Sequence, residues 1–299
     1  MTTIAFIGMG TMGAPMARRL LQAGHDVVAA NRSAPALRAF EEDGGRSAPS
    51  AADAAEHADV VVTMLPDSPD VRDVLLGDDG VLSRMRPSSL AIDMSTIDPA
   101  VSRELAEAAA SRGVRALDAP VSGGLAGARE GTLSIMVGGD AQDVESARPI
   151  LDAMGSTVVH VGPHGAGQTV KAANQFLVAG NLALVAEAIV FLERQGLDVD
   201  GALAVLAGGL AGSAVLQRKG TAMAARDFAP TFRAELHHKD IGIGIQAARS
   251  SGAVMPVSML AGQYLASLVA RGQGGRDHGA VLDVVAALSP SPREEHGPR

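Results

Sequence analysis

The stretch Ile4–Leu20, IAFIGMGTMGAPMARRL, joins an apolar run to a glycine-rich loop and then to a helical pattern. Gly8, Gly10 and Gly13 have the spacing G-x-G-x-x-G. In a strand–loop–helix unit, the first glycine permits a tight turn, the second lets a pyrophosphate approach the backbone, and the third lets the helix pack on the strand. The N–H groups at the helix start then bind the anion. A chance cluster is the alternative in a chain with 35 glycines, but the surrounding strands and helix favour dinucleotide binding.

The alternation of short β-branched runs and helical segments continues through the first half of the chain. It predicts an α/β Rossmann domain over residues 1–163, with a mostly parallel sheet and right-handed crossovers. From 164 to 288 the periodicity is almost only helical, which predicts an all-α domain entered by a long helix over about 166–194. The Pro-rich, polar tail 289–299 is predicted to be disordered. Strands are predicted over Ile4–Ile7, Asp26–Ala30, Val60–Met64, Leu90–Asp93, Arg115–Asp118, Ser134–Val137 and Val158–Val161.

Composition excludes several classes of function. The net charge is −8 and the basic residues are scattered, so no nucleic-acid partner is expected. With no cysteine and no zinc-ligand spacing among eight histidines, neither a thiolate nucleophile nor a metal site is predicted, and a cytoplasmic location is expected. The apolar run Phe176–Leu192 is just short of the ~18 residues of a membrane span and contains Asn181 and Glu187, so it predicts a core helix and no membrane.

The end of the second predicted strand, Asn31-Arg32-Ser33, bears on the cofactor. NAD-specific sites of this type carry a carboxylate there, which binds the ribose 2′-hydroxyl. This chain has none, and Arg32 offers a planar donor fork for a 2′-phosphate. We therefore expect NADP(H) to be preferred, with NAD(H) possible. Exposure of Arg32 to solvent without a ligand is the alternative.

Other strand ends supply further candidates, because ligands of parallel sheets sit at the carboxyl edge. Met64, Leu65 and Pro66 are candidates for the adenine side, and Thr96 for the nicotinamide end. The segment Ser122–Gly124 offers a hydroxyl and exposed N–H groups, which suit a carboxylate. From the residues alone, an ordinary loop and a simple glycine turn remain open.

Hydride transfer requires a proton donor, and Lys171 is a candidate. It is the only Lys, Arg, Asp or Glu between Asp152 and Glu187. On a helix, Asn174 and Gln175 share its face. An ammonium can polarise a carbonyl and donate its proton, and the neutral amine can accept one in reverse. The spacing alone leaves open that Lys171 extends from the first turn into water.

Taken together, five motifs in order resemble the β-hydroxyacid dehydrogenase family from Ile4 to about Leu288: FIGMGTMGAPMA, TMLPDSPDV, DAPVSGG…GTLSIMVGGD, GQTVKAANQ and LHHKD. The resemblance implies a Rossmann domain, a helical substrate and oligomerisation domain, and an active site between them. It implies that Lys171 is catalytic, assisted by Asn174. By resemblance, Ser122, Gly123 and Gly124 hold the substrate carboxylate, Thr96 and Lys239 touch the cofactor, and Asp240 supports the cleft. Together with the residues singled out above, the candidate substrate contacts are Ser122, Gly123, Gly124, Gln175 and Asp240. The candidate cofactor contacts are Gly8, Met9, Gly10, Thr11, Met12, Gly13, Asn31, Arg32, Ser33, Met64, Leu65, Pro66, Thr96 and Lys239.

The C-terminal half most resembles the branch of that family that reduces tartronate semialdehyde, through GGLAGSAVL, DFAPTFRAELHHKD and RDHGA. This resemblance implies reduction of a small carboxylate-bearing aldehyde to glycerate, with Lys171 as general acid/base, in a homodimer or homotetramer. Dehydrogenation of 3-hydroxyisobutyrate or 4-hydroxybutyrate, the latter giving succinate semialdehyde, is the main alternative. Imine reduction and a non-enzymatic cofactor-binding module agree less well, because this chain keeps Lys171 and the VSGG segment.

Overall fold

The computed structural model describes residues 2–289, so the predicted tail lies outside the described residues except for Ser289. The chain divides into two compact units, one ending at Ala173 and the other beginning at Asn174. The division falls inside a helix, ten residues after the predicted boundary at 163.

The first unit alternates strands and helices from its first residues. Strand β1 (Thr3–Ile7) is apolar and almost wholly buried, as expected for a central strand covered on both faces. Helix α1 (Gly13–Gln22) buries Met16, Ala17 and Leu20 on one side. The remaining strands are β2 (Asp26–Ala30), β3 (Arg46–Ser47), β4 (Val60–Thr63), β5 (Leu90–Asp93), β6 (Arg115–Asp118), β7 (Val121–Ser122), β8 (Leu133–Gly139) and β9 (Gly155–Gly162).

The helices of the first unit lie between these strands in the chain. They are α2 (Ala34–Glu42), α3 (Ala51–Ala55), α4 (Ser68–Leu76), α5 (Val81–Arg84), α6 (Pro99–Ala110), α7 (Gly124–Glu130) and α8 (Ala141–Asp152). Many of the buried apolar residues of this unit fall into two clusters that contain alternate residues of the same strands, for example Ile4 and Phe6 in one and Ala5 and Ile7 in the other. The sheet is therefore packed on both faces.

The strands form one sheet in the order β3-β2-β1-β4-β5-β6-β8-β7, with β9 paired to β8. Strands β1 to β6 pair with one another only in parallel. Strand β8 runs antiparallel to β6 and β7 and parallel to β9. The prediction of a Rossmann-like, mostly parallel sheet is confirmed. Strands β2 and β3 extend the sheet on the β1 side, and β5 and β6 extend it on the β4 side, so the strand order reverses between β1 and β4. The crevice between these two strands is where such folds bind dinucleotides.

Helix α9 (Ala166–Arg194) begins in the first unit and continues into the second, which is helical in its described residues apart from one isolated bridge between Arg233 and Asp277. The prediction of an all-α second domain is confirmed. The other elements are α10 (Val199–Ala207), α11 (Ala214–Ala224), α12 (Ala234–Ser251), α13 (Pro256–Ala270), a 3₁₀ helix (His278–Ala280) and α14 (Val281–Leu288).

By length and composition alone, α9 is apolar enough to cross a membrane, with a mean hydropathy of 1.9 in its best window. Within the fold, 44% of that window is buried. Leu182, Val185, Ala186 and Ile189 belong to the apolar core of the second unit. One side of the helix is therefore used in packing, as in the core helix that the sequence predicts.

Candidate cofactor and catalytic site

The three glycines of the loop after β1 are required for different physical reasons. Gly8 has φ +103°, and a Cβ there would overlap the carbonyl oxygen of Met64. A Cβ at Gly13 would overlap the carbonyl oxygen of Gly8. At Gly10, by contrast, a Cβ would have no heavy atom within 4 Å. Packing thus explains Gly8 and Gly13, whereas Gly10 borders open space.

The loop is held by Asn31, and its geometry fits a dinucleotide. The Asn31 Oδ1 accepts from the N–H of Met9 at 3.1 Å, and its Nδ2 donates to the carbonyl oxygen of Ser33 at 3.2 Å. Helix α1 has Met12 at its N-cap without a side-chain capping bond, and the Ala14 N–H donates to the Gly10 carbonyl oxygen at 3.1 Å. Open space borders Gly10, Thr11 and Ala14 at the start of the helix. A pyrophosphate fits there. The Met9 side chain is buried in the sheet core and Thr11 is exposed.

Arg32 is placed where it can reach a ligand from solvent. Its side chain is 90% exposed, and its Nη2 lies 3.7 Å from Asp70 Oδ1 at the start of α4. Such an exposed pair contributes little to stability. The guanidinium therefore loses little by exchanging Asp70 for a phosphate.

The loops after β4 and β5 are joined by a hydrogen bond. Met64, Leu65 and Pro66 follow β4, and Thr96 follows β5 as a half-buried residue. The Leu65 N–H donates to Ser95 Oγ at 2.9 Å. Because β1, β4 and β5 are adjacent and parallel, the predicted cofactor residues after these strands lie along one edge of the sheet.

The structure brings Lys171 to the segment predicted to bind a carboxylate. The Lys171 side chain is buried, and its Nζ donates to the carbonyl oxygen of Val121 at 2.8 Å. Ser122 is the next residue, followed by Gly123 and Gly124 with φ +139° and +66°. The ammonium therefore lies inside the first unit beside this loop and does not extend into water.

A buried polar network beneath these loops was not predicted from the sequence. Asp93 Oδ1 accepts from Thr63 Oγ1 at 2.7 Å and from Ser95 Oγ at 2.6 Å. Asp118 accepts from the N–H groups of Gly165 at 2.7 Å and Gln168 at 3.0 Å. Burial raises the pKa of both the Asp93 and Asp118 carboxyls. The sequence signal for this buried network is a polar residue at the end of an apolar strand, as in AIDMS and ALDAP.

The predicted residues of the second unit form a hydrogen-bonded chain of their own. Asn174 Nδ2 donates to Gln175 Oε1 at 2.8 Å, and Gln175 Nε2 donates to Asp240 Oδ2 at 2.6 Å. Lys239 Nζ lies 2.8 Å from Asp240 Oδ1. Gln175 and Asp240 are buried, so their side chains hold Asn174 and Lys239 in place.

A strand, a glycine loop and a helix meet at the switch point of a parallel sheet, and a buried ammonium lies at the same edge of that sheet. This combination defines a nicotinamide-dependent oxidoreductase. Among residues 2–289, no group of three or more His, Asp or Glu side chains is placed to hold a metal ion. Residues 3–162 match the model of the NAD-binding domain of 6-phosphogluconate dehydrogenase. Residues 165–285 match that of the NAD-binding domain of NADP-dependent 3-hydroxyisobutyrate dehydrogenase. The chain belongs to the β-hydroxyacid dehydrogenase family.

Similar proteins cover almost the whole chain. An NAD-dependent L-serine dehydrogenase of Pseudomonas aeruginosa is 40% identical over 94% of this chain and 97% of its own length. The 2-hydroxy-3-oxopropionate reductase of Escherichia coli is 36% identical over 96% and 98%. The structure of Mycobacterium tuberculosis 3-hydroxyisobutyrate dehydrogenase with L-serine matches with a TM-score of 0.87 and 37% identity, covering 95% of this chain and 99% of that chain.

Proposed function

We propose that the protein reduces tartronate semialdehyde, 2-hydroxy-3-oxopropanoate, to glycerate with NADPH, and that Lys171 is the general acid. The observation that carries the proposal is the buried Lys171 ammonium, 2.8 Å from the Val121 carbonyl and adjacent to the Ser122–Gly124 segment. The proposed proton donor and the candidate carboxylate-binding loop thus lie at the sheet edge that carries the glycine loop.

When bound at the glycine loop, a reduced nicotinamide would supply the hydride for the carbonyl carbon. The Lys171 ammonium polarises the carbonyl and gives its proton to the oxygen as that atom gains negative charge. In the reverse direction the neutral amine accepts the hydroxyl proton. Ser122 and the N–H groups of Gly123 and Gly124 orient the substrate through its carboxylate. Asn174, held by Gln175, assists on the same helix.

The proposed preference for NADPH rests on Arg32 and on the absence of a carboxylate at the end of β2. A charge-assisted hydrogen bond contributes about 1.5–3 kcal/mol, which corresponds to about a ten- to hundredfold difference in affinity. One relative is named as NAD-dependent, and the family model that matches the second half is named for an NADP-dependent enzyme, so cofactor choice varies among the proteins that this chain resembles. Lys239, paired with Asp240, is proposed as a further cofactor contact.

Oxidation of a 3-hydroxy acid such as L-serine or 3-hydroxyisobutyrate is the second candidate. It is favoured by the higher identity to the L-serine dehydrogenase, 40% against 36% for the 2-hydroxy-3-oxopropionate reductase. The chemistry at the reacting carbon is the same, and the substrates differ in the group carried by the neighbouring carbon. A difference of one methylene in an apolar pocket changes binding by only about 1–3 kcal/mol, whereas a site that hydrogen-bonds the group discriminates far more strongly; assays must therefore decide between the substrates.

The experiment measures NADPH and NADH consumption with tartronate, methylmalonate and succinate semialdehydes and a cyclic imine. NADP⁺ and NAD⁺ reduction with L-serine and 3-hydroxyisobutyrate is measured in parallel. We expect the highest kcat/KM for tartronate semialdehyde with NADPH. A higher value for L-serine with NAD⁺ would favour the second candidate, and turnover of the imine alone would refute both.

The role of Lys171 has its own test. Lys171→Ala should bind NADPH normally and lose about 10²–10⁴-fold in kcat, as is typical when a general acid is removed. Lys171→Arg keeps the positive charge but cannot release a proton near neutral pH, so it should not restore the rate. Near-normal turnover by either variant would show that another group delivers the proton.

We also propose that the protein self-associates through its second unit. Leu177, Leu184 and Phe191 lie at seven-residue spacing on one side of α9 and are 69%, 61% and 63% exposed. An uncovered apolar stripe of this kind fits a partner helix. Leu184→Glu should then lower the sedimentation coefficient, whereas Leu210→Glu, at another exposed leucine, should not. A monomeric wild-type protein at micromolar concentration would contradict this proposal.

A further inference from the structure

Gln168 is a buried residue whose side-chain amide is hydrogen-bonded at both ends. Only 1% of its surface is exposed. Its Nε2 donates to the carbonyl oxygen of Ser95 at 2.8 Å, and its Oε1 accepts from the N–H of Ile97 at 3.1 Å. These two backbone groups flank Thr96. Because the amide is planar, the two bonds together fix the distance and the orientation of residues 95–97 relative to α9.

The backbone of Gln168 is fixed separately, by the sheet. Asp118, at the end of β6, accepts from the N–H groups of Gly165 and Gln168. A Cβ at Gly167 would lie 2.7 Å from the Asp118 carbonyl oxygen and 2.8 Å from its Oδ2, so the start of the helix is packed directly against the strand. The first turn of α9 is thus anchored independently of the Gln168 side chain.

Lys171 follows Gln168 by three residues, which places both on the same side of α9. Its ammonium donates to Val121 at 2.8 Å. One helical turn therefore carries both the amide that holds the segment around Thr96 and the proposed proton donor.

Ser95 extends the network to the loop after β4. Its hydroxyl donates to Asp93 Oδ1 and accepts from the N–H of Leu65. A shift of Ser95 would therefore disturb the loop after β4 and the loop after β5 together. The Gln168 amide is the link between these two loops and the helix.

We propose that Gln168 is a positioning residue that sets the distance between Thr96 and the Lys171 ammonium. This inference rests on the proposed function, in which Thr96 contacts the nicotinamide end of the cofactor and Lys171 donates the proton. If the 95–97 segment shifts relative to α9, donor and cofactor both remain but are misaligned. A misplacement of about 1 Å can lower a rate about 100-fold.

Two substitutions test the proposal. Gln168→Met has a similar length and makes neither bond. Gln168→Glu keeps an acceptor for Ile97 but, when ionised, presents a carboxylate oxygen to the Ser95 carbonyl. We expect both to lower kcat about 10- to 100-fold. The Kd for NADPH should change less than kcat, because the glycine loop is unchanged while the contacts from Thr96 and the loop after β4 shift. Gln142→Met, at an exposed position in α8, is the matched control and should keep wild-type kinetics.

The pH profile separates positioning from simple stability. A protonated glutamic acid regains a donor for the Ser95 carbonyl, so the ratio of Gln168→Glu to wild-type activity should rise as the pH falls. Gln168→Met should show no such recovery. The ionisable groups around this position, Asp93 on β5, Asp118 on β6 and Lys171 on α9, are the same in both variants. A merely structural role would lower Tm, leave kcat unchanged below Tm and give the two variants parallel pH profiles.

Hydrogen exchange of the segment 94–98 provides a measurement that needs no substrate. In Gln168→Met the Ile97 N–H should lose its protection, and continued protection would overturn the link to α9. Wild-type-like kcat in Gln168→Met would overturn the positioning role. If the wild-type protein reduces none of the semialdehydes, the proposed function fails on that result alone, and the exchange measurement still decides whether Gln168 holds the segment.

Discussion

Alanine substitutions at Gly10 and Gly13 separate a glycine required by a bound cofactor from one required by packing. A methyl group at Gly10 meets no heavy atom within 4 Å, and the position does not have a positive φ. At Gly13 the same methyl group overlaps the carbonyl oxygen of Gly8. Gly10→Ala should therefore fold normally and bind NADPH poorly, whereas Gly13→Ala should be destabilised even without cofactor.

The magnitudes follow from this geometry. Replacing glycine by alanine at a compatible backbone position stabilises a protein by about 0.4–1 kcal/mol, through the unfolded chain, so Gly10→Ala should have an unchanged or slightly higher Tm. Forcing one extra methyl group into a filled site costs about 1–3 kcal/mol. In Gly10→Ala the added methyl group destabilises the complex with NADPH, which corresponds to about a 5- to 150-fold higher Kd for NADPH. For Gly13→Ala it falls on the free protein.

The assay combines calorimetric unfolding of the free protein with a fluorescence titration of NADPH. Gly275→Ala is the matched control, because a Cβ at Gly275 also meets nothing within 4 Å and its φ is not positive. It should change neither Tm nor Kd appreciably. An unchanged Kd in Gly10→Ala would refute the assignment of the space beside Gly10 to the pyrophosphate.

Three further perturbations test the site and the fold. Arg32→Gln should raise KM for NADPH about ten- to hundredfold and leave KM for NADH nearly unchanged; equal changes would contradict a 2′-phosphate contact. The pKa of His278 is lowered from 6.5 to about 3, first by burial and then by the neighbouring His237. Between these two pH values the unfolded chain binds a proton that the folded chain does not. Stability is therefore lost as the pH falls through this range. At pH 5 this lowers the free energy of unfolding by about 2 kcal/mol. Urea unfolding at pH 7 and 5 should show a smaller loss of stability for His278→Asn than for wild type. Burial raises the pKa of Asp93, so deprotonation of this carboxyl costs more in the folded than in the unfolded chain. The stability of wild type relative to Asp93→Asn should therefore fall as the pH rises above about 4, and a relative gain would contradict a raised pKa.

Strands and helices could be predicted where a short stretch of sequence carries the whole pattern. Asp26–Ala30, Leu90–Asp93 and Arg115–Asp118 form strands with the predicted bounds, because each is a short apolar run. The strands β3 and β7 have two residues each and were not predicted. A two-residue strand has no alternation of its own, and β7 exists because Val121 and Ser122 pair with β8.

The sequence names candidate site residues but not the contacts between them. The sequence suggests Asn31 as a cofactor contact, and the structure adds that its amide bridges Met9 and Ser33. Gln168 stands within a quoted motif, yet its partners Ser95 and Ile97 lie 73 and 71 residues away. No local sequence pattern predicts a hydrogen bond between residues so far apart in the chain. The role of Gln168 can therefore be inferred only from the structure.

Asp118 explains how a helix that starts after the last strand comes to serve the edge of the sheet. Helix α9 follows β9 in the chain, but its start is bonded to the carboxylate at the end of β6. Burial raises the pKa of Asp118, whereas the N–H groups of Gly165 and Gln168 favour its charged form. Ionisation of Asp118 and docking of the helix are therefore coupled: loss of the helix start would leave a buried carboxylate without its donors. The same coupling fixes the Lys171 ammonium, one turn along the helix, at the sheet edge that carries the glycine loop.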